Sequence, residues 1–258
     1  MIARPSNLIE NSLVSVRLLA IPASHPCAAV AAMLDAKGAV YDRVDLFPAL
    51  SRVWLRLTGF SAGRVPALRL DGVRVEGSRA IARALDARWP EPPLFPAGAT
   101  ACARVEEIEA WGDGPLQEVA RRIILWALIH DRAAPRAALE GARLQFRVPV
   151  GLAARLARPV LRLDAALNDV SADSVRADLT SLPGMLDRID DWIAGGDLGG
   201  VPPTAADYQL AGSLRLLLTL DDLAPYFRDR AAEGLARRLV PDFPGRVAAG
   251  VLPNGWLS

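Results

Sequence analysis

Four short stretches hold residues whose types and spacing can do chemistry. The first, Ser24-His25-Pro26-Cys27, follows a compact β-branched and leucine run and opens an alanine-rich one, so Ser24 falls where a strand hands over to a helix. Free N–H groups and the helix dipole favour an anion at that point, above all a thiolate. A serine hydroxyl there can donate to a bound thiolate. A hydrogen bond to a charged group contributes about 1.5–3 kcal/mol net, or roughly one to two pKa units. Applied to a thiol of pKa ~8.5, that shift makes the thiolate the main form at neutral pH. The competing role is structural, because serine is a favoured helix N-cap. Cys27, one turn into the helix, reads as a small buried hydrophobe, and with serine at the N-terminal position dithiol exchange lacks its nucleophile. His25 reads as exposed and solvated, close enough to tune the site.

The second stretch is Gly63-Arg64-Val65-Pro66-Ala67-Leu68, a proline at the entrance to a strand; taken alone, it is a trans proline starting an edge strand. The third, Glu76-Gly77-Ser78-Arg79-Ala80-Ile81, turns from a strand into a helix. Ser78 there is either an anion ligand beside free helical N–H groups or an N-cap, and the two roles are compatible. The fourth, Thr204-Ala205-Ala206-Asp207, fits a capping box with Asp for Glu, whose loss costs about 1 kcal/mol or somewhat more. Its role is folding.

Other signals are bland. His25, His130, Cys27 and Cys102 share no metal-ligand spacing, so no metal site is predicted. No G-x-S-x-G elbow and no Walker-type loop is present. Gly195-Gly196 and Gly199-Gly200 lie between helices and read as loop. Glu106, Glu107 and Glu109 read as a solvated helix face. Trp111 and Trp126 sit on apolar stripes as core residues, either of which can border a ligand cleft. Arg143, Arg147, Arg155, Arg158 and Arg162 lie in a region with no acidic residue between Glu140 and Asp164, the last four near one helical face. Such a helix can bind membranes or acidic partners, but a solvated face paired with the acidic segment up to Asp191 is the commoner outcome.

The elements that position these residues change character along the chain. Residues 14–95 alternate strand and helix signals. Runs at Val14 to Ile21 and Val40 to Phe47 read as strands. A helix from Cys27 closes at Gly38, and Leu50 to Leu57 reads as a short helix. A hairpin forms at Asp71-Gly72, and Ser78 to Trp89 is an amphipathic helix. Residues 91–98 are a proline-rich linker. From residue 99 the signals are helical: Val105, Ile108 and Trp111 continue into Val119, Ile123 and Trp126. Leu152, Leu156, Val160, Leu163 and Leu167 form a further stripe that Pro159 is expected to kink or split. Helices at Leu179 to Ile193 and Asp207 to Leu220 follow. The predicted domains are 14–90, α/β with order β-α-β-α-β-β-α, and 99–258, an all-α bundle.

With 258 residues, 52% of them hydrophobic and 23% charged, the chain is globular and can bury a sizeable core. Thirty basic residues against 29 acidic leave a net charge of +1, which argues against a general nucleic-acid or anionic-membrane binder. Two cysteines make no disulfide framework, so a cytoplasmic setting is expected, and no apolar run is long enough to span a bilayer.

This layout and these motifs resemble the glutathione S-transferase superfamily, which joins a thioredoxin-like domain to a helical one. The likeness covers about residues 14–95 and the final third; residues 132–187 match nothing nameable. The resemblance implies a catalytic Ser24 that stabilises the glutathione thiolate, and a cis Pro66 with the Val65 backbone pairing with the cysteinyl part of the tripeptide. It implies Ser78 binding the γ-glutamyl carboxylate, with Gly77 standing where the family has an acidic or amide residue that holds the amino group. Glutathione would be co-substrate without a metal, and a small hydrophobic electrophile would sit between the domains. His25, Cys27 and Trp111 are candidates for the edge of the site. A homodimer is implied. The alternative is a non-catalytic binding or scaffold protein on the same fold.

Overall fold

The computed structural model describes residues 16–142, 144 and 148–257. Its sheet has the order β2-β1-β3-β4, from β1 (Val16–Ala20), β2 (Asp42–Asp45), β3 (Ala67–Leu70) and β4 (Val73–Glu76). β1 is central, and it buries Val16, Leu18, Leu19 and Ala20 while Arg17 faces out. β2 runs parallel to β1, with Leu19 opposite Val44; β3 and β4 are antiparallel. A parallel neighbour needs a crossover, and α1 (His25–Ala36) supplies it. Asp71 and Gly72 have φ of 49° and 86°, the positive pair that a tight two-residue hairpin requires. After the short α2 (Ser51–Leu57) and the hairpin, α3 (Ser78–Arg88) packs Ile81 and Leu85 into the core. This is the thioredoxin-like order that the sequence predicts. Val14 lies outside the described residues. The second strand, Asp42–Asp45, is shorter than residues 40–47, and Val40 is 81% exposed.

The rest is helical: α4 (Ala99–Trp111), a π turn (Gly112–Leu116), α5 (Gln117–His130), α6 (Ala134–Ala138), α7 (Val150–Leu167), α8 (Ala172–Ala194), α9 (Ala205–Leu217), α10 (Ala224–Phe227) and α11 (Ala231–Leu239). One hydrophobic core runs from the sheet through α1 into α5, α8 and α9. The tightest contact between the halves is at Gly212 of α9. A Cβ there would lie 2.6 Å from the His25 carbonyl oxygen, so only glycine lets α9 come this close to α1.

In the helical half the structure narrows one expectation, adds the setting of a second feature and corrects a third. Of the two outcomes expected at Pro159, a split does not occur: α7 runs through the proline, which lies on the exposed side, where the Arg155 carbonyl left without a helical partner can face water. The leucine stripe on α7 is not core: Leu152, Leu156, Leu163 and Leu167 are 49–73% exposed, and the buried positions are alanines. Glu109 is fully buried, not solvated. It accepts from Arg79 (3.1 Å) and Arg83 (3.0 Å) of α3, and so ties α4 to the first half. Burial outweighs the two guanidinium groups and raises its carboxyl pKa.

Candidate functional site

Ser24 is the N-cap residue of α1, in extended conformation, and its side chain makes no capping bond. Its hydroxyl instead contacts the Cys27 thiol one turn on. Cys27 is fully buried, and burial pushes its thiol up to about 11 despite that contact. It is an inert core residue, as its setting in an alanine-rich helix implies.

The peptide bond from Val65 to Pro66 is cis. Gly77 N–H donates to the Pro66 carbonyl at 2.9 Å, which extends the β3–β4 ladder up to the proline. The Val65 backbone takes no hydrogen bond among the described residues, so its N–H and C=O are open to an extended peptide. Gly77, not Ser78, is the N-cap of α3. Its φ of 89° with ψ of 141° is a conformation that side-chain-bearing residues avoid, which explains glycine at this turn. Ser78 is the first helical residue, 3% exposed, with no partner for its hydroxyl among the described residues.

Glu76 is committed elsewhere. Its carboxylate accepts from the Ala62 N–H at 2.9 Å and the Arg64 N–H at 3.1 Å, which pins the loop leading to Pro66. These backbone donors hold its pKa below the usual value against the opposing effect of burial.

Two clefts adjoin here. A polar one of about 530 Å³ is lined by Val65, Pro66, Gly77 and Ser78, with Arg64, Glu76, Arg79, Asp113 and Arg121 as its charged residues. An apolar one of about 240 Å³ begins at Ser24 and His25 and is walled by Ile124, Leu125, Leu128, Leu161 and Leu216. Pro26, Val65 and Arg121 belong to both. A larger cleft of about 780 Å³ opens beside β2, but none of the candidate residues lines it.

Two of the edge residues differ from expectation. His25 is 6% exposed, not solvated: α9 approaches its carbonyl and α5 covers its ring. Burial, with the Arg121 guanidinium alongside, pushes its imidazole down to about 3 against a weaker upward effect of Gln117, so it is neutral. Its Nε2 is buried without a partner. Trp111 lines neither cleft; it packs edge-on against Trp192 at 5.0 Å.

Sequence reasoning missed Asp113, Gln117 and Arg121, which the π turn and the first turns of α5 bring to the polar cleft. The available signal was Gly112-Asp113-Gly114-Pro115, a helix-breaking run inside an otherwise continuous apolar periodicity.

Residues 18–93 match the family model described as glutathione S-transferase, N-terminal domain. No protein of curated function matches the chain by sequence. Among solved structures, a glutathione S-transferase from Rhodospirillum rubrum F11 is 20% identical, with 94% of this chain and 98% of that one covered at a TM-score of 0.60. FzlA from C. crescentus is 16% identical, covering 95% and 98% at 0.58. A theta class glutathione S-transferase from Xanthomonas axonopodis pv. citri, with glutathione bound, is 17% identical, covering 88% and 98% at 0.55. At these identities the likeness is one of fold. Over the whole chain it is the likeness of a thioredoxin-like first half and a helical second half, and the match to the glutathione S-transferase family itself rests on residues 18–93.

Proposed function

We propose that this protein is a glutathione transferase-like enzyme in which Ser24 holds the glutathione thiolate for attack on an apolar electrophile. The observation that carries this reading is the junction of the two clefts at Pro26 and Val65, with Ser24 on the apolar side of that junction. The tripeptide lies in the polar cleft, its cysteinyl part paired with the Val65 backbone before cis-Pro66. The γ-glutamyl carboxylate meets the Ser78 hydroxyl and the free N–H groups of α3. Arg64 and Arg79 add positive charge for the carboxylates. Glu76 is occupied, so Asp113 is the remaining carboxylate lining this cleft to hold the amino group. The thiol proton leaves to water, the sulfur is directed into the apolar cleft, and a carbon–sulfur bond forms there as the electrophile's leaving group departs with its bonding pair, or as an activated double bond opens and the resulting carbanion takes a proton from water. Thiolate activation and proximity supply the rate. A homodimer is the assembly we expect.

The test is an ultraviolet titration of glutathione into the protein, following thiolate absorbance against pH for wild type and Ser24→Ala. A thiolate signal near neutral pH that moves up by about one to two units in the variant supports the reading; a signal unmoved by the substitution removes Ser24 from it. One observation favours a second reading, a glutathione transferase fold kept for binding or scaffolding. The carboxylate nearest the usual amino-group position is spent on the protein's own loop. Under that reading no thiolate signal develops, and Asp113→Asn leaves glutathione affinity unchanged.

A further inference from the structure

The outer face of α7 plays no part in the site above. Leu152, Leu156, Leu163 and Leu167 are 49%, 51%, 60% and 73% exposed. At 3.6 residues per turn they occupy about 60° of the helix surface. Arg155, Arg158 and Arg162 fall within about 60° of arc on one side of that row, separated from it by Pro159 and Ala166. The helix therefore shows the outside an apolar half beside a cationic half, and reaches the core through Ala153, Ala154, Ala157 and Ala165.

The cationic half is uncompensated. Three of the five aspartates of α8 are spent on other arginines: Asp178 on Arg122 at 2.7 Å, Asp187 and Asp190 on Arg230 at 2.7 and 2.8 Å. Among the described residues, Arg155, Arg158 and Arg162 have no carboxylate partner, which overturns the expected pairing with that segment. Arg143 and Arg147 lie outside the described residues. Arg155 and Arg158 join Arg132 and Arg136 around a cleft of about 380 Å³ at the N-terminal end of α7, whose dipole adds to the field. A net charge of +1 hides this separation, because the balancing carboxylates are elsewhere.

We propose that this face of α7 docks on an anionic lipid surface, its leucines entering the acyl boundary and the arginine cleft taking headgroup phosphates. A helix with a strongly cationic side and exposed leucines lies in the interfacial plane. Binding is peripheral, since no helix among the described residues is long and apolar enough to cross a membrane. A second copy packed antiparallel on the leucine row, about a two-fold axis perpendicular to α7, would set the arginines of the two copies side by side. A polyanion such as nucleic acid would satisfy the arginines but leave the leucines in water.

The test is co-sedimentation of the full chain with vesicles of phosphatidylcholine alone or mixed with phosphatidylglycerol. Binding is expected to the mixed vesicles only and to weaken steeply when salt is raised from about 0.05 to about 0.5 M. Leu152→Ser/Leu156→Ser/Leu163→Ser and Arg155→Gln/Arg158→Gln should each weaken it by about tenfold or more. Circular dichroism checks that the variants fold; the arginine pair decides if the triple variant does not. Wild-type indifference to anionic vesicles overturns the proposal, as does binding that both variants retain. A concentration-dependent dimer in sedimentation velocity that the leucine variant abolishes overturns it too, by assigning the face to a second copy. The vesicle readout needs no glutathione, so it stands or falls apart from the transferase reading.

Discussion

α9 and α7 both belong to the helical half and both carry leucines at helical spacing, yet they meet their surroundings in opposite ways. Every residue of α9 is buried, including Asp207, Gln209, Ser213 and Arg215. Its two charged residues find backbone partners: Arg215 donates to the Val240 and Pro241 carbonyls at 2.7 and 3.0 Å, and Asp207 accepts from the N–H groups of Gly199 and Thr204, whereas Gln209 Oε1 and Ser213 Oγ are buried without a partner among the described residues. α7 buries only alanines, sets Leu161 in the wall of the apolar cleft, and leaves Leu152, Leu156, Leu163 and Leu167 outside. A stripe of leucines therefore tells which residues share a face, but not whether the protein itself covers that face. What surrounds the helix decides: α9 is enclosed by α1, α4, α5 and α11, whereas α7 has α5 and α6 on its inner side.

The comparison breaks most readily at Gly212. Gly212→Val should cost about 3 kcal/mol or more, read as the urea midpoint, because the new side chain collides with the backbone of His25. A cost under about 1 kcal/mol would mean that α9 is not held tightly against α1. Asp207→Ala comes next, at about 2–3 kcal/mol. Its carboxylate serves Thr204 N–H, Thr204 Oγ and Gly199 N–H at 2.6–2.8 Å, so the motif does more than cap a helix.

His25 sharpens the same contact through pH. Its folded pKa of about 3 lies below the ordinary 6.5, so protons favour the unfolded chain. This contribution to stability is complete above pH 6.5 and is lost as pH falls toward 3, with a slope of at most about 1.4 kcal/mol per pH unit. His25→Gln should flatten that part of the stability profile; an unchanged profile would mean the ring is wet. Leu163→Ser on α7 closes the series, with a change within about 0.5 kcal/mol, because that side chain is already 60% exposed. A larger loss would show that the leucine row is covered in solution.

Much of the first half was legible because its signals are local. Gly38 closing α1, the positive-φ pair at Asp71-Gly72 and the turn at Gly77 all follow from backbone chemistry within a few residues. The cis bond at Pro66 followed from the resemblance, since proline in isolation is usually trans. Features made by distant packing were not legible. His25 looked solvated because nothing near it in sequence shows that α5 and α9 cover it. Glu109 looked like its neighbours Glu106 and Glu107 because its partners Arg79 and Arg83 come from the other half. Asp113 and Arg121 reach the polar cleft through a π turn that the Gly112-Asp113-Gly114-Pro115 run marks, but nothing local shows that the turn faces the cleft.

Lys37 is the chain's sole lysine, and it is withdrawn from the surface. Its ammonium reaches Asp86 at 2.8 Å and the carbonyls of Trp89 and Pro92, with the side chain fully buried, so that the end of α1 is stitched to the linker. All the remaining basic side chains except the two histidines are guanidinium groups. A guanidinium keeps its charge across the physiological pH range and is not a target for lysine acylation. The positive side of α7 is thus a permanent property of the molecule, beyond the reach of the acetylation that neutralises lysine-rich surfaces. If its attraction to an acidic partner is controlled, the control must act through the partner's charge or the ionic strength around it.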